Sequence, residues 1–264
     1  MKFKLKQEKL EELLEKLIVK NIFPSSVMVS KGKELISIQK EVHGRALRVV
    51  KFKEKFFESI EESNEAIEID ADRTINVVKN IPANTNLVVE TKGNKLAISR
   101  LVCDKDGKEI GVKGVINISY KDPGEVQTEA PYEVENGVPL VGSEKVPLPI
   151  CFEVDLSDMK SMTNFAGSLN TKFYSFKIKD KNLSVRVGDL HDFSDYDIEN
   201  PVNKILKGEN VEVIFTFGTE EIVDTFRKAN IKIHTANSSP GLFSESDDTY
   251  TLAVLIPPYI EGEE

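Results

Sequence analysis

The sequence repeats one local pattern four times, and this repeat restricts the fold more than any other feature of the chain. Each copy begins with an alternating strand, continues into a short amphipathic helix, and ends in two strands joined by a turn. The pattern is clearest at residues 67–100 and 152–187, where the order and spacing of the elements nearly coincide. A repeated unit of sequence predicts a repeated unit of structure.

The helix of each copy is expected to carry one apolar face, which needs a sheet to pack against because such short helices are marginal alone. The predicted faces are Leu10, Leu13, Leu14, Leu17 and Ile18, then Ile75, Val78 and Ile81, then Leu156, Met159, Met162 or Thr163, and Ala166, then Ile222, Val223, Phe226 and Ala229. The predicted N-cap is Asp70 or Asp72 in the second helix and Ser157 in the third, and the fourth helix is predicted to begin at Thr219.

The predicted fold class is α+β, with the helices on one face of antiparallel sheets. Because the strands alternate between apolar and polar residues, one face of each sheet is expected in the core and the other in water. Pairs of copies then share a core, which predicts two similar domains of duplicated strand-helix-strand-strand units. The predicted boundaries are 1–122 for domain 1, 123–148 for an interdomain connecting loop and 149–264 for domain 2.

The predicted connecting loop is rich in residues that interrupt regular structure. It contains Pro123, Pro131, Pro139 and Pro147, and neither the helical nor the strand period continues through it. We therefore expect a connector without secondary structure of its own. Loops of this length are often functional.

The composition restricts the partners and the compartment. The formal net charge is −9, which is not typical of a nucleic-acid binder, although a basic face can coexist with an acidic outer surface. The sequence contains neither a signal-peptide pattern nor a long apolar run, so an intracellular protein without membrane contact is expected. Cys103 and Cys151 are interpreted as buried, reduced thiols.

Residues with catalytic or metal-binding chemistry do not form a recognisable set. No glycine-rich phosphate-binding loop is present, and His43, His191 and His234 are separated in sequence from each other and from both cysteines. The acidic stretches 104–109 and 191–199 are interpreted as a polar hairpin turn and an acidic surface loop. The sequence therefore predicts no enzyme activity, no cofactor and no metal.

The order of the four units and the single central connector resemble the DNA sliding clamps, and among them the proliferating cell nuclear antigen (PCNA) type of archaea and eukaryotes. The strongest local matches are "ISIQKEVHGRALRV" at 36–49, "IEIDADRTINVVKNI" at 67–81 and the tail "VLIPPYIEGEE" at 254–264. The resemblance covers nearly the whole chain and extends to viral and phage-type clamps of the same fold.

The resemblance implies a processivity factor that encircles duplex DNA as a ring, a homotrimer in the PCNA type, without reading its sequence. It also implies docking of DNA polymerase, of an ATP-hydrolysing clamp loader and of other replication and repair proteins that carry a clamp-binding motif. The implied location is the cytoplasm or nucleoid, or the nucleus in a eukaryote. The alternative is a clamp-fold interaction scaffold, or one subunit of a heteromeric ring, with weakened contact to DNA.

The resemblance also implies residue roles. The helices would line the channel and meet phosphates through Lys9, Lys16, Lys20, Arg73, Lys79, Lys160, Arg227 and Lys228. Scattered lysines and arginines suit a sliding contact. The first helix departs from the family, because it also carries Glu8, Glu11, Glu12 and Glu15, which would repel phosphate. The alternative for these charges is an ordinary solvated helix face.

A partner peptide would dock beneath the connector, by the same resemblance. The implied pocket residues are Val42, His43, Leu47, Val138, Pro139, Leu140, Val141, Ile256, Pro257, Pro258 and Tyr259. The alternative is that the apolar segment 138–141 packs only on its own domain. His43 is interpreted as a packing and hydrogen-bonding group.

The subunit interface would be a sheet edge. The implied edge strand in domain 1 runs through 111–120, with Val112, Val115, Ile116 and Ile118 at the contact, and its counterpart in domain 2 lies near 182–187.

Overall fold

The structure, a computed structural model, describes most of the chain, namely residues 1–18, 26–41, 46–106, 108–125, 127, 129–180, 182–189, 192–194, 204–207, 210–217 and 222–259. The chain divides into two compact units. Unit 1 comprises Met1–Gln39, Val49–Thr128 and Ser246–Thr251, and unit 2 comprises Lys40–Arg48, Glu129–Glu245 and Leu252–Glu264.

Unit 1 contains most of the first nine strands and two helices. Its strands are β1 (Lys2–Lys6), β2 (Val27–Lys31), β3 (Glu34–Lys40), β4 (Leu47–Phe52), β5 (Ser59–Ile60), β6 (Ala66–Glu68), β7 (Asn86–Lys92), β8 (Lys95–Cys103) and β9 (Glu109–Ser119); its helices are α1 (Gln7–Leu17), α2 (Ala71–Val78) and a 3₁₀ turn (Glu54–Phe56). One sheet has the order β5-β1-β7-β8-β9, and four strands follow the order β6-β2-β3-β4.

The helices of unit 1 follow the predicted apolar pattern. In α1, the predicted Leu10, Leu13, Leu14 and Leu17 are all buried, and the helix ends at Leu17 so that Ile18 becomes its C-cap. In α2, Ile75 and Val78 are buried, and Ile81 is buried just beyond the helix. The Asp70 carboxylate accepts a hydrogen bond from the Arg73 backbone N–H at 2.9 Å, which identifies Asp70 as the N-cap.

Unit 2 contains most of the remaining twelve strands and one helix of the described residues. Its strands are β10 (Tyr132–Glu135), β11 (Val138–Val141), β12 (Val146–Pro147), β13 (Ile150–Asp155), β14 (Phe173–Lys179), β15 (Asn182–Asp189), β16 (Asp192–Ser194), β17 (Lys204–Lys207), β18 (Val211–Thr216), β19 (Asn230–Thr235), β20 (Gly241–Ser246) and β21 (Tyr250–Ile256), and its helix is α3 (Leu156–Ser168). The strand orders are β10-β11-β12, β16-β15-β14-β18 and β17-β13-β19-β20-β21.

The core of unit 2 is aromatic. The ring centroids of Phe176 and Phe215 are 5.8 Å apart, and those of Phe215 and Phe243 are 5.5 Å apart at an interplanar angle of 74°. Gly241 lies against this cluster, where an added Cβ would come within 2.7 Å of the Phe215 ring. The close approach of the β20 backbone to these rings therefore requires glycine.

One local prediction for unit 2 is corrected by the structure, and a second falls partly outside the described residues. The N-cap of α3 is Asp155 rather than Ser157, because the Asp155 carboxylate accepts a hydrogen bond from the Ser157 backbone N–H at 2.6 Å. The predicted start of the fourth helix at Thr219 lies outside the described residues, which resume at Ile222, where the Phe226 N–H donates to the Ile222 carbonyl at 3.1 Å. Ile222, Val223 and Phe226 are buried as predicted, whereas Ala229 is exposed.

The α+β prediction is confirmed, since antiparallel strands dominate and the described residues contain three α-helices. None of the helices described is long and apolar enough to cross a membrane.

Candidate functional site

The two lysines of α1 form ion pairs and ring contacts with other side chains of unit 1. Lys9 Nζ is 2.7 Å from Glu12 Oε2 and lies 4.9 Å from the centre of the Phe56 ring. Lys16 Nζ lies 3.8 Å from the centre of the Tyr250 ring and 3.7 Å from Glu12, and its side chain is only 9% exposed. The cation–π contact and the burial place Lys16 away from solvent, so it is poorly positioned to meet a phosphate.

The second helix presents two cations in different surroundings. Arg73 is exposed in the first turn of α2. Lys79, directly after α2, lies between two carboxylates of α1, with its Nζ 3.6 Å from Glu11 Oε1 and 3.8 Å from Glu15 Oε1. Lys20, the remaining cation predicted for the first helix, lies outside the described residues.

The predicted DNA-contacting cations of unit 2 are more exposed than the lysines of α1. Lys160 is exposed on α3, and Arg227 is exposed after the turn that begins at Ile222. The Arg227 guanidinium donates to the backbone carbonyl of Asp224 at 2.6 Å, which orients it without neutralising its charge. Lys228 follows Arg227 and is half-buried.

A buried carboxylate fixes the backbone beneath these two basic residues. The Arg227 and Lys228 backbone N–H groups both donate to Glu245 Oε2, each at 2.8 Å. Arg48 is also buried beside this group; burial and the Arg227 charge lower the pKa of Arg48 to about 9, and the Glu245 carboxylate opposes the shift. Arg48 therefore remains protonated at neutral pH, and the two backbone hydrogen bonds to Glu245 anchor the basic segment.

The connector contains regular structure, contrary to the prediction. Strands β10, β11 and β12 form a three-stranded antiparallel sheet within it. The turn between β10 and β11 is Asn136-Gly137, where both residues have positive φ, at 51° and 78°. An Asn-Gly pair with these angles is typical of a two-residue hairpin turn, so the signal was present in the sequence.

The connector sheet packs on the β20–β21 side of unit 2. Alternation along β11 buries Pro139 and Val141 and leaves Val138 and Leu140 half-buried. The buried cluster beneath it consists of Val141, Leu148, Leu242 and Ala253, with Tyr132 and Leu255 packed against it. The segment 138–141 thus packs on its own unit with one face and leaves its other face half-exposed.

Five members of this apolar cluster are not among the site residues predicted from the sequence. They are Tyr132, Leu148, Leu242, Ala253 and Leu255. Burial raises the pKa of Tyr132 to about 12, so its hydroxyl stays neutral. The Asn-Gly turn would have located Tyr132 opposite Val141, whereas Leu242 and Leu255 are brought in only by the tertiary fold.

The predicted pocket residues of the tail are held mainly by β18 and β14. Ile256 is fully buried, and Pro258 pairs with Phe215 in an isolated β-bridge. The Tyr259 backbone N–H donates to the Ile214 carbonyl at 2.8 Å, and the Tyr259 ring lies edge-on to Phe173. Of the other pocket residues, Pro257 is exposed and Leu47 half-buried, and Val42 and His43 lie outside the described residues.

The outer edge of the five-stranded sheet in unit 1 is apolar and exposed. On β9, the last strand in that sheet, Ile110, Val112 and Val115 are 63%, 56% and 51% exposed. A register shift opposite Arg100 and Leu101 changes the phase of the strand. Ile116 is therefore half-buried, and Ile118 is buried inside unit 1 rather than lying at the edge surface.

Comparison with solved structures gives matches over almost the full chain. PCNA from Entamoeba histolytica superimposes with a TM-score of 0.72 at 10% identity, covering 98% of both chains. The A. fulgidus PCNA in a complex with the C-terminal region of FEN-1 gives 0.67 at 14% identity, covering 99% of both. The PCNA2–PCNA3 complex from Sulfolobus tokodaii gives 0.66 at 12% identity, covering 98% of this chain and 99% of that one.

The chain has the two-domain fold of the PCNA-type DNA sliding clamps. The resemblance inferred from the sequence is thereby confirmed at the level of the fold. No protein-family model matches the sequence, and no curated protein matches it either.

Within this clamp fold, a cysteine and a histidine that are distant in sequence meet across two strands. Cys151 on β13 and His234 on β19 are register partners, and Cys151 Sγ lies 3.3 Å from His234 Nε2. Burial raises the pKa of the Cys151 thiol and lowers the pKa of His234, so both are neutral at pH 7. A neutral, buried thiol is a poor nucleophile, which favours a packing role.

The acidic turn at 104–109 also has a structural role in the clamp fold. Asp104 Oδ1 accepts hydrogen bonds from the Asp106 and Lys108 backbone N–H groups at 3.0 and 2.8 Å. This closes the turn between β8 and β9, as predicted for a polar hairpin. Among the described residues, no group of three His, Cys, Asp or Glu side chains is placed to hold a metal ion.

Proposed function

We propose that the chain is a DNA sliding clamp, which assembles into a ring around duplex DNA and docks replication and repair proteins. The observation that carries the proposal is the extent of the structural likeness, which covers 98% of this chain and 98% of the Entamoeba histolytica PCNA. Both domains are therefore retained, and no catalytic step is assigned to the chain.

Ring assembly is proposed through β9. Exposed apolar residues on an unpaired sheet edge favour strand-to-strand association, because the edge carries free backbone donors and acceptors. Val112 and Val115 lie on this edge with Ile110, whereas Ile118 supports it from inside. The homotrimer of the PCNA type is the proposed assembly.

Partner docking is proposed at the connector sheet. The half-buried side chains of Val138 and Leu140, on the outer face of the connector sheet, would bind apolar anchors of a clamp-binding peptide. A few such anchors in a partly formed groove are sufficient for most of the affinity. The FEN-1 segment bound to the A. fulgidus PCNA supports a peptide as the ligand class. DNA polymerase and a clamp loader are the proposed partners.

The test of the proposed function is topological. A clamp loaded by its loader onto nicked circular plasmid is expected to remain bound during gel filtration and to be released when the plasmid is linearised. Dissociation at equal rates from circular and linear DNA would contradict encirclement. A chain that stays monomeric at every concentration would contradict the ring.

A second candidate is a subunit of a heteromeric ring with weakened DNA contact. The ion pairs of Lys9 and Lys79 and the burial of Lys16 favour it, because they leave the α1 face with little available positive charge. The PCNA2–PCNA3 complex is a pair of clamps that assemble with each other. A mass equal to a multiple of this chain alone, formed without other proteins, would exclude this candidate.

A further inference from the structure

Lys79 stands between two acidic side chains of a neighbouring helix. Glu11 and Glu15 are one helical turn apart, so their carboxylates reach the same side of α1. Both come within 4 Å of the Lys79 ammonium, at 3.6 and 3.8 Å. The Lys79 side chain remains 49% exposed, so the ammonium is accessible from solvent while it is paired.

The remaining charges of α1 do not relieve this pairing. Glu12 already meets both Lys9 and Lys16. Glu8 accepts the Asn84 backbone N–H at 2.6 Å, and backbone hydrogen bonds to Glu8 lower the pKa of this carboxyl. The four glutamates of α1 therefore outnumber the two lysines of the helix.

We infer that Glu11 and Glu15 control the phosphate contact of Lys79, so that this lysine reaches DNA only when its ion pairs open. The inference deepens the proposed function and rests on it. Exposed ion pairs are individually weak, so a phosphate can compete with each of them. Two carboxylates around one ammonium leave a local negative excess, however, which disfavours the approach of a further anion.

Lys79 would thus contact DNA phosphate only when its ion pairs are open, whereas Lys160 of unit 2 would contact it directly. Lys160 is exposed, and no described carboxylate pairs with its ammonium. Removal of Lys160 is therefore expected to weaken DNA binding directly. Removal of Lys79 is expected to matter only after Glu11 and Glu15 have been neutralised.

The test is the salt dependence of binding to a short mixed-sequence duplex, measured by fluorescence anisotropy. Each phosphate contact contributes about 0.9 to the slope of log K against log salt concentration. The double variant Glu11→Gln/Glu15→Gln is expected to steepen the slope by about 0.9, equal to a roughly 3.5-fold greater loss of affinity between about 50 and 200 mM salt. Lys79→Gln alone is expected to leave the slope nearly unchanged, and adding it to the double variant is expected to abolish the gain.

The matched control is Glu58→Gln/Glu62→Gln, because both residues are exposed in unit 1 and the net charge changes equally. This control is expected to steepen the slope by less than half as much. An equal gain in the control, or a loss of about 0.9 from Lys79→Gln alone, would overturn the inference.

Failure of the clamp proposal gives a different result. If the unaltered protein is retained on nicked circular DNA but Glu11→Gln/Glu15→Gln gains no more than the control, only the role of the two carboxylates is refuted. If the unaltered protein and all variants fail to bind DNA at any salt concentration, the clamp proposal and the inference are both refuted.

Discussion

Replacing Ile110, Val112 and Val115 by threonine is expected to weaken self-association through β9. Threonine keeps the β-branched shape that suits a strand but removes apolar surface. Each of the three side chains is at least half exposed in the chain alone. Burial of the exposed apolar surface under a partner strand is therefore expected to contribute about 1 kcal/mol per residue to association. Together this amounts to about 3 kcal/mol, or roughly a hundredfold in the dissociation constant of the interface.

Sedimentation velocity over a range of protein concentrations measures this dissociation constant. The control variant carries threonine at Val134, Val146 and Leu206, which are also exposed apolar residues but lie in unit 2. The melting temperature of the β9 variant is expected to stay close to that of the unaltered chain, since the replaced side chains are exposed. An unchanged dissociation constant in the β9 variant, or an equal loss in the control, would refute the assignment of β9 as the assembly edge.

Three further variants test the folds of α3, the connector and the aromatic core. Gly241→Ala is expected to destabilise the chain by about 1–3 kcal/mol in urea unfolding, because the new Cβ meets the Phe215 ring. The control Gly167→Ala is expected to be neutral or stabilising, because the space around Gly167 is open. Leu148→Ala is expected to cost about 2–5 kcal/mol and to reduce the affinity for a clamp-binding peptide, and full affinity in isothermal titration would argue against docking at the connector. Asp155→Ala is expected to cost about 1 kcal/mol at neutral pH through loss of the N-cap. Hydrogen bonds from Ser157 lower the pKa of the Asp155 carboxyl in the folded state. Its contribution to the free energy of unfolding is therefore present above the unfolded pKa and is lost as the pH falls through the folded pKa. A cost of Asp155→Ala that does not depend on pH would contradict this.

The repeat and the helix faces were predictable because they are local properties of the sequence. The spacing of Leu10, Leu13, Leu14 and Leu17 fixes which side of α1 is buried, whatever the sheet beneath it. The alternation of the strands likewise predicts which face meets the core. The resemblance to clamps, built on these units, is confirmed at the level of the fold.

The connector differs from its prediction because the Asn136-Gly137 turn, and not the surrounding prolines, decides its local structure. Proline is tolerated near the start of short strands, and Pro139 is the second residue of β11, where it is buried. A hairpin turn with two positive φ angles is a stronger local signal than the loss of strand period around it.

The charge pairs of the helix face lay beyond sequence reasoning. Lys79 is more than sixty residues from Glu11 and Glu15, and only the packing of α2 beside α1 brings them within 4 Å. Cys151 and His234 meet for the same reason, through the register of β13 and β19. The DNA-contacting and peptide-docking roles of the named residues stay predictions.

A low-resolution electron-microscopy image of the purified particle at micromolar concentration tests the central claim most directly. We expect a closed ring with a central hole, built from copies of this chain. A population of compact particles without a hole, at concentrations where the chain is fully assembled, would contradict the proposal that this clamp fold encircles DNA.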